Sequence, residues 1–105
     1  MATVSLPTRF HAGTLTASET VVYTTAAAQI DVITSVTFSN LTDAARTVTM
    51  KMAGQFFIKT LDIPPRAIIV LDVKQVLNTA ENIQLSADAA DAISAFVSGV
   101  KINQV

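Results

Sequence analysis

Apolar and polar residues alternate with a period of two along most of this chain, the mark of strands that bury one face. From Gln29 to Ser39 the even positions Ile30, Val32, Val36 and Phe38 are apolar. Gln29, Asp31, Ser35 and Thr37 between them are polar, and Ile33 is out of phase. The turn residues Asn40-Leu41-Thr42-Asp43 follow, and alternation resumes with Val48, Met50 and Met52 set against Thr47, Thr49 and Lys51. Two alternating runs around a short polar loop predict an antiparallel hairpin. Ala53-Gly54-Gln55 interrupts the pattern, and Phe56 to Ile63 forms another β-rich run. Pro64-Pro65 must end it, because two prolines remove two ladder donors. Ala67 to Val73 carries Ile68, Ile69, Val70 and Leu71 in succession. Apolar on both faces, it reads as a strand covered on both sides.

The stretch from Lys74 to Asn82 fits either a short strand or irregular backbone. Ile83, Leu85 and Ala87 alternate with Gln84 and Ser86, and Asp88-Ala89-Ala90-Asp91 supplies the next turn. In the last run Ile93, Ala95 and Val97 share one phase while Val100 and Ile102 share the other. A phase change across Ser98-Gly99 predicts a β-bulge at Gly99, which makes that glycine structural. Upstream, Thr14 to Ala17 and Thr20 to Thr24 are short β-prone pieces, with Ala26-Ala27-Ala28 as a loop. About seven or eight strands and no long helix predict an all-β fold, an antiparallel β-sandwich of jelly-roll or Ig-like type. Residues 1–12 read as an N-terminal arm or edge strand, and residues 13–105 as one sandwich domain.

Composition sharpens this picture. A chain of 105 residues supports one core. Half of its residues are hydrophobic and only 14% are charged, which excludes a disordered tail. No run approaches the ~20 apolar residues of a membrane helix, so no membrane partner is expected. A net charge of -1 with scattered basic residues gives no footprint for nucleic acid. The absence of cysteine removes disulfides, thiolate metal sites and thiol nucleophiles. Met1 to Phe10 lacks the basic and apolar regions of a secretory signal, and the expectation is synthesis in a reducing cytoplasm.

Catalytic chemistry finds little support. His11 is the lone histidine and reads as an exposed polar residue before Gly13. The eight acidic residues are dispersed; Asp88 and Asp91 share a loop but fall short of a calcium site. Gly13, Gly54 and Gly99 make no phosphate loop. Phe56-Phe57 beside Lys59 is a weak approach to a nucleic-acid platform. Asn40-Leu41-Thr42 matches a glycosylation sequon but reads better as turn chemistry. The expectation is no catalytic, metal or cofactor-binding residues and no cofactor.

A domain this small cannot hide half its residues, and extended apolar patches mark interfaces. Within a strand only one of Phe56 and Phe57 can face the core. The candidate interface residues are Val4, Leu6, Arg9 and Phe10 on the arm, with Phe56 and Ile58 on the strand after Gly54.

Between Val21 and Ile102 the order of features resembles small β-sandwich structural proteins of tailed bacteriophages, of head decoration, neck or tail-fibre type. The resemblance rests on Val21-Val22-Tyr23-Thr24, then Ile33 to Asn40, then Ala45-Arg46-Thr47-Val48-Thr49-Met50. Ile63-Pro64-Pro65, Ile69-Val70-Leu71-Asp72, Ile83 to Ala87 and Val97 to Ile102 complete it. The chain departs from that pattern at Thr25-Ala26-Ala27-Ala28, where Pro-Ala-Gly is usual, and at Ala80-Glu81-Asn82, where Gly-Asp is usual. The resemblance implies a non-enzymatic virion structural protein, made in the host bacterial cytoplasm. It would self-associate, as a trimer, and dock on capsid, neck or tail proteins; a capsid decoration (cement) protein is the leading expectation. The alternatives are a neck or tail component and a glycan-binding adhesin module.

Overall fold

The computed structural model describes Thr3–Gln104, with side chains described for residues 5–103. Eight strands form it: β1 Thr3–Thr14, β2 Thr20–Thr24, β3 Gln29–Asn40, β4 Arg46–Met52, β5 Gln55–Ile63, β6 Ile68–Leu77, β7 Asn82–Ala87 and β8 Ile93–Gln104. They make two four-stranded antiparallel sheets, of order β1-β8-β3-β6 and β2-β7-β4-β5. Eight strands wound in this order are a jelly roll, so the β-sandwich expected from the alternation is the fold. Its core, between the sheets, is built from Ile33, Val36, Phe38, Val48, Met50 and Ile83 among others.

Three local readings change. The first concerns Asn40–Asp43. β3 and β4 do not pair, because β3 lies in the first sheet and β4 in the second. Period-two alternation is the same whether a chain folds back beside itself or crosses to the opposite sheet. The turn chemistry is nonetheless real. The Asn40 side chain is buried; its Nδ2 donates to the carbonyls of Ala44 (2.8 Å), Ile63 (3.1 Å) and Pro64 (3.1 Å). Its Oδ1 accepts from the Thr42 amide (2.9 Å) and hydroxyl (2.8 Å). One amide thus ties the β3–β4 crossover to the end of β5. The true tight hairpin is β4–β5, closed at Ala53-Gly54, whose φ values of 53° and 78° are those of a type I′ turn.

The second change concerns the bulge. β8 runs without interruption; its pairing with β3 skips Thr34 and its pairing with β1 skips Phe10. Both neighbours are bulged at the height of Ser98, while Gly99 stays buried on the inward side with Ala95 and Val97. A Cβ on Gly99 would collide with the Val32 carbonyl oxygen, and would meet Val32 C at 2.9 Å and Ile33 Cα at 3.0 Å. The glycine is structural, as expected, but it clears space for a bulge on the adjacent strand. The same bulge explains Ile33. Below Thr34 the inward residues are Gln29, Asp31 and Ile33; above it they are Val36, Phe38 and Asn40. Ile30 and Val32, assigned by alternation to the core, therefore point outward.

The third concerns the N-terminal segment, read as an arm or an edge strand. From Thr3 onward it takes the second form, a full edge strand paired with β8 along its length, so the domain begins there and not at residue 13. Phe10, at its bulge, belongs to the core and packs on Tyr23 with ring centroids 4.7 Å apart.

Candidate functional site

The six candidate interface residues do not form one surface. Val4 pairs through its backbone with Asn103, and its side chain lies outside the described residues. Leu6 and Arg9 are exposed on β1, but Phe10 is buried, which removes it from any surface. Phe56 lies on the outer face of the second sheet, where Lys51 and Lys59 sit 4.6 and 5.1 Å from its ring centre. Ile58 packs against the core. Neither Phe56 nor Phe57 is in the core: Phe57 is the extra residue of a bulge, and Ile58 takes the inward position.

Apolar exposure gathers instead on the outer face of the β1-β8-β3-β6 sheet. The register aligns its outward residues in rows. Thr14, Ser94, Ser39 and Ile68 form the first row, and Ala12, Phe96, Thr37 and Val70 the second. Arg9, Ser98, Ser35 and Asp72 form the third. Pro7, Val100, Val32 and Val76 form the fourth, and Ser5, Ile102 and Ile30 the last. Ile68 and Val70 are 66% and 61% exposed, and Ile30, Val76 and Phe96 are also on the surface. β6, expected to be covered on both faces, is covered on one: Ile69 and Leu71 meet the core while Ile68 and Val70 face outward. The consecutive apolar run was the signal for this face.

The Asp31 and Asn40 clusters inside the sandwich are committed to structure. Asp31 is fully buried and accepts hydrogen bonds from Tyr23 Oη (2.6 Å), Thr25 Oγ1 (2.8 Å) and Gln29 Nε2 (2.8 Å). Gln29 Nε2 also donates to Tyr23 Oη (2.7 Å), so the cluster pins β2 and its following loop to β3. Burial first, then the hydrogen bond and charge of Asp31, hold the Tyr23 phenol well above its ordinary range and keep it a donor. His11 is not an exposed turn residue: it lies within β1, half-buried, with Nε2 buried and unpartnered among the described residues. Desolvation lowers its pKa from the ordinary 6.5. Asp91 accepts from the Thr14 hydroxyl at 3.0 Å, and Asp88 is exposed in the same loop. Among the described residues no three His, Asp or Glu side chains converge.

A groove of about 670 Å3 lies beside the β5 and β6 edges of the two sheets. It is lined by Thr34, Phe57, Asp72, Val73, Lys74 and Gln75. The skipped residues Thr34, Val73 and Lys74 of the β3–β6 ladder are all among them, so the irregular pairing shapes it.

No family model and no curated protein matches this chain. Solved structures resemble it as β-sandwich proteins. A protein of the disulfide-linked pili that form Bacillus endospore appendages is 12% identical, with a TM-score of 0.57 over 98% of this chain and 89% of that one. The sugar-binding C-terminal domain of EclA is 13% identical, with a TM-score of 0.44 over 98% of this chain and 79% of that one. An exo-β-1,3-galactanase from Phanerochaete chrysosporium is 17% identical, with a TM-score of 0.45 over 93% of this chain and only 29% of that one. At such identities the likeness to the pilus protein is one of fold.

Proposed function

We propose that this chain is a non-enzymatic structural protein that self-associates and docks on a larger particle, as a capsid decoration (cement) protein of a bacteriophage virion. The observation that carries this reading is the uncovered outer side of β6. Ile68 and Val70 stand with Phe96, Val76 and Ile30 on a face whose apolar residues lie on either side of one polar row, Arg9, Ser98, Ser35 and Asp72, and exposed apolar patches on small domains mark interfaces. The Asp31 and Asn40 clusters of the interior are consumed in holding loops and strand ends, which supports a reading in which the domain acts through its surface. With no cysteine in the chain, disulfides cannot join the copies, and in this reading weak contacts add through many copies. A neck or tail position would use the same surface. Labelling virions of the encoding phage with an antibody, viewed by electron microscopy, tests the placement. Label over the heads supports decoration; label at the neck or tail moves the site, and unlabelled particles refute a virion role.

The groove favours a second reading, a glycan-binding module. Its volume suits a small ligand, and it pairs an apolar ring, Phe57, with an acid, a base and an amide at Asp72, Lys74 and Gln75. A glycan array probed with the wild type and with Phe57→Ala separates the readings. Binding that vanishes with Phe57 supports the glycan module, and an empty array removes it.

A further inference from the structure

All four sheet edges of this molecule are broken. β1 carries Pro7, which has no amide to donate, and a bulge at Phe10. β2 has five residues and a register shift at Val22. β5 is shifted at Phe57 and again before Leu61, where Thr60 has a φ of 61°. β6 is shifted at Val73 and Lys74. These are the devices that keep edge strands from pairing with other chains, so association by strand addition is disfavoured at every edge. Of the sheet faces, the outer face of β1-β8-β3-β6 carries the larger set of exposed apolar side chains, Ile30, Ile68, Val70, Val76 and Phe96.

That face has a specific charge layout. Within its five paired rows Arg9 and Asp72 are the charged residues, and they occupy opposite edges of the same row; Lys74, skipped by the β3–β6 register, is exposed two residues beyond Asp72 on the same edge strand. Three strand spacings, about 14 Å, separate them. Rotation by 180° about an axis along the strands reverses the left-to-right order of the strands and preserves their height. It would place β1 over the partner's β6 and β8 over the partner's β3. Each Arg9 then meets the partner's Asp72, and Ala12 meets the partner's Val70, small against large. An axis across the strands would instead stack Arg9 near Arg9 and Asp72 near Asp72.

We infer that two copies of this chain pack these faces together about a two-fold axis running along the strands, with reciprocal Arg9–Asp72 ion pairs at the two rims. Native sheet twist sets the crossing angle of the facing sheets near −30°. Four strands at ~4.8 Å and five rows two residues apart give each face roughly 600 Å2. The pair buries on the order of 1,200 Å2, at the threshold of stable interfaces. The inference rests on the proposed self-association and adds its geometry.

Analytical ultracentrifugation of the full chain tests it, with thermal melts confirming that each variant is folded. Wild type is expected as a dimer. Arg9→Asp and Asp72→Arg, each placing like charges at both rims, should raise the dimer dissociation constant at least tenfold. The double exchange R9D/D72R should restore it, which a merely destabilising change would not do. An oligomer insensitive to Arg9→Asp, a double exchange that fails to recover, or a three-fold assembly overturns the two-fold register and leaves self-association standing. A wild type monomeric at high concentration overturns both.

Discussion

Gly99 gives the sharpest test of how the first sheet is put together. Gly99→Ala adds one methyl group on β8, a central strand flanked by β1 and β3. The atoms it meets, Val32 O, Val32 C and Ile33 Cα, are backbone, so no rotamer change can relieve the collision. Either β3 separates from β8 or the Thr34 bulge is rebuilt. Overpacking of this kind costs about 1–3 kcal/mol. Weakening two ladder hydrogen bonds adds ~0.5–1.5 kcal/mol each. A loss near 3 kcal/mol lowers the melting temperature of a domain this size by roughly 15 °C. Thermal unfolding followed by circular dichroism measures it. Gly54→Asn is the control. Gly54 has open space around it and needs only its positive φ, which Asn tolerates, so little change is expected there. A Gly99→Ala shift below about 3 °C would refute the close approach of β3 and with it the placement of the bulge.

Other outcomes follow from the buried polar groups. Asn40→Asp replaces an amide that donates to three carbonyls with a carboxylate that cannot, and should cost about 2–4 kcal/mol in urea unfolding. An unchanged midpoint would show that the β3–β4 crossover is held by something else. His11 makes stability depend on pH. Its folded pKa lies below 6.5, so the unfolded chain takes up the proton first. Its contribution to stability is complete above pH 6.5 and is lost as pH falls below that value toward the folded pKa. His11→Gln should flatten this part of the profile in denaturant titrations across that range, and an identical slope in both proteins would refute it.

Much of the architecture was legible because alternation reports burial directly. Ile83, Leu85 and Ala87 on β7, and Ile93, Ala95 and Val97 on β8, face the core as their period demands. Pro64 follows the last residue of β5 because a proline cannot extend a ladder. The candidate site was legible only in part. Arg9 stands on the apolar face, whereas Phe10 is buried and Phe56 lies on the opposite sheet. The run Ile68 to Leu71 announced a strand with two apolar sides, but a sequence cannot say whether the second cover comes from the same chain.

The sequence by itself determined most of the strand segments, leaving residues 1–12 and 74–82 open, and that their apolar sides exceed what one core can bury. Pairing was decided only by the tertiary structure. Adjacent strands β3 and β4 separate into different sheets, while β1 and β8, from opposite ends of the chain, lie side by side. Side-chain period is local and fixes each strand's two faces, but not its neighbours. A single skipped residue such as Thr34 inverts the faces of everything beyond it, and only the partner strand reveals the skip. That inversion turned Ile30 and Val32 outward and, with β6, made the apolar face on which the proposed role depends.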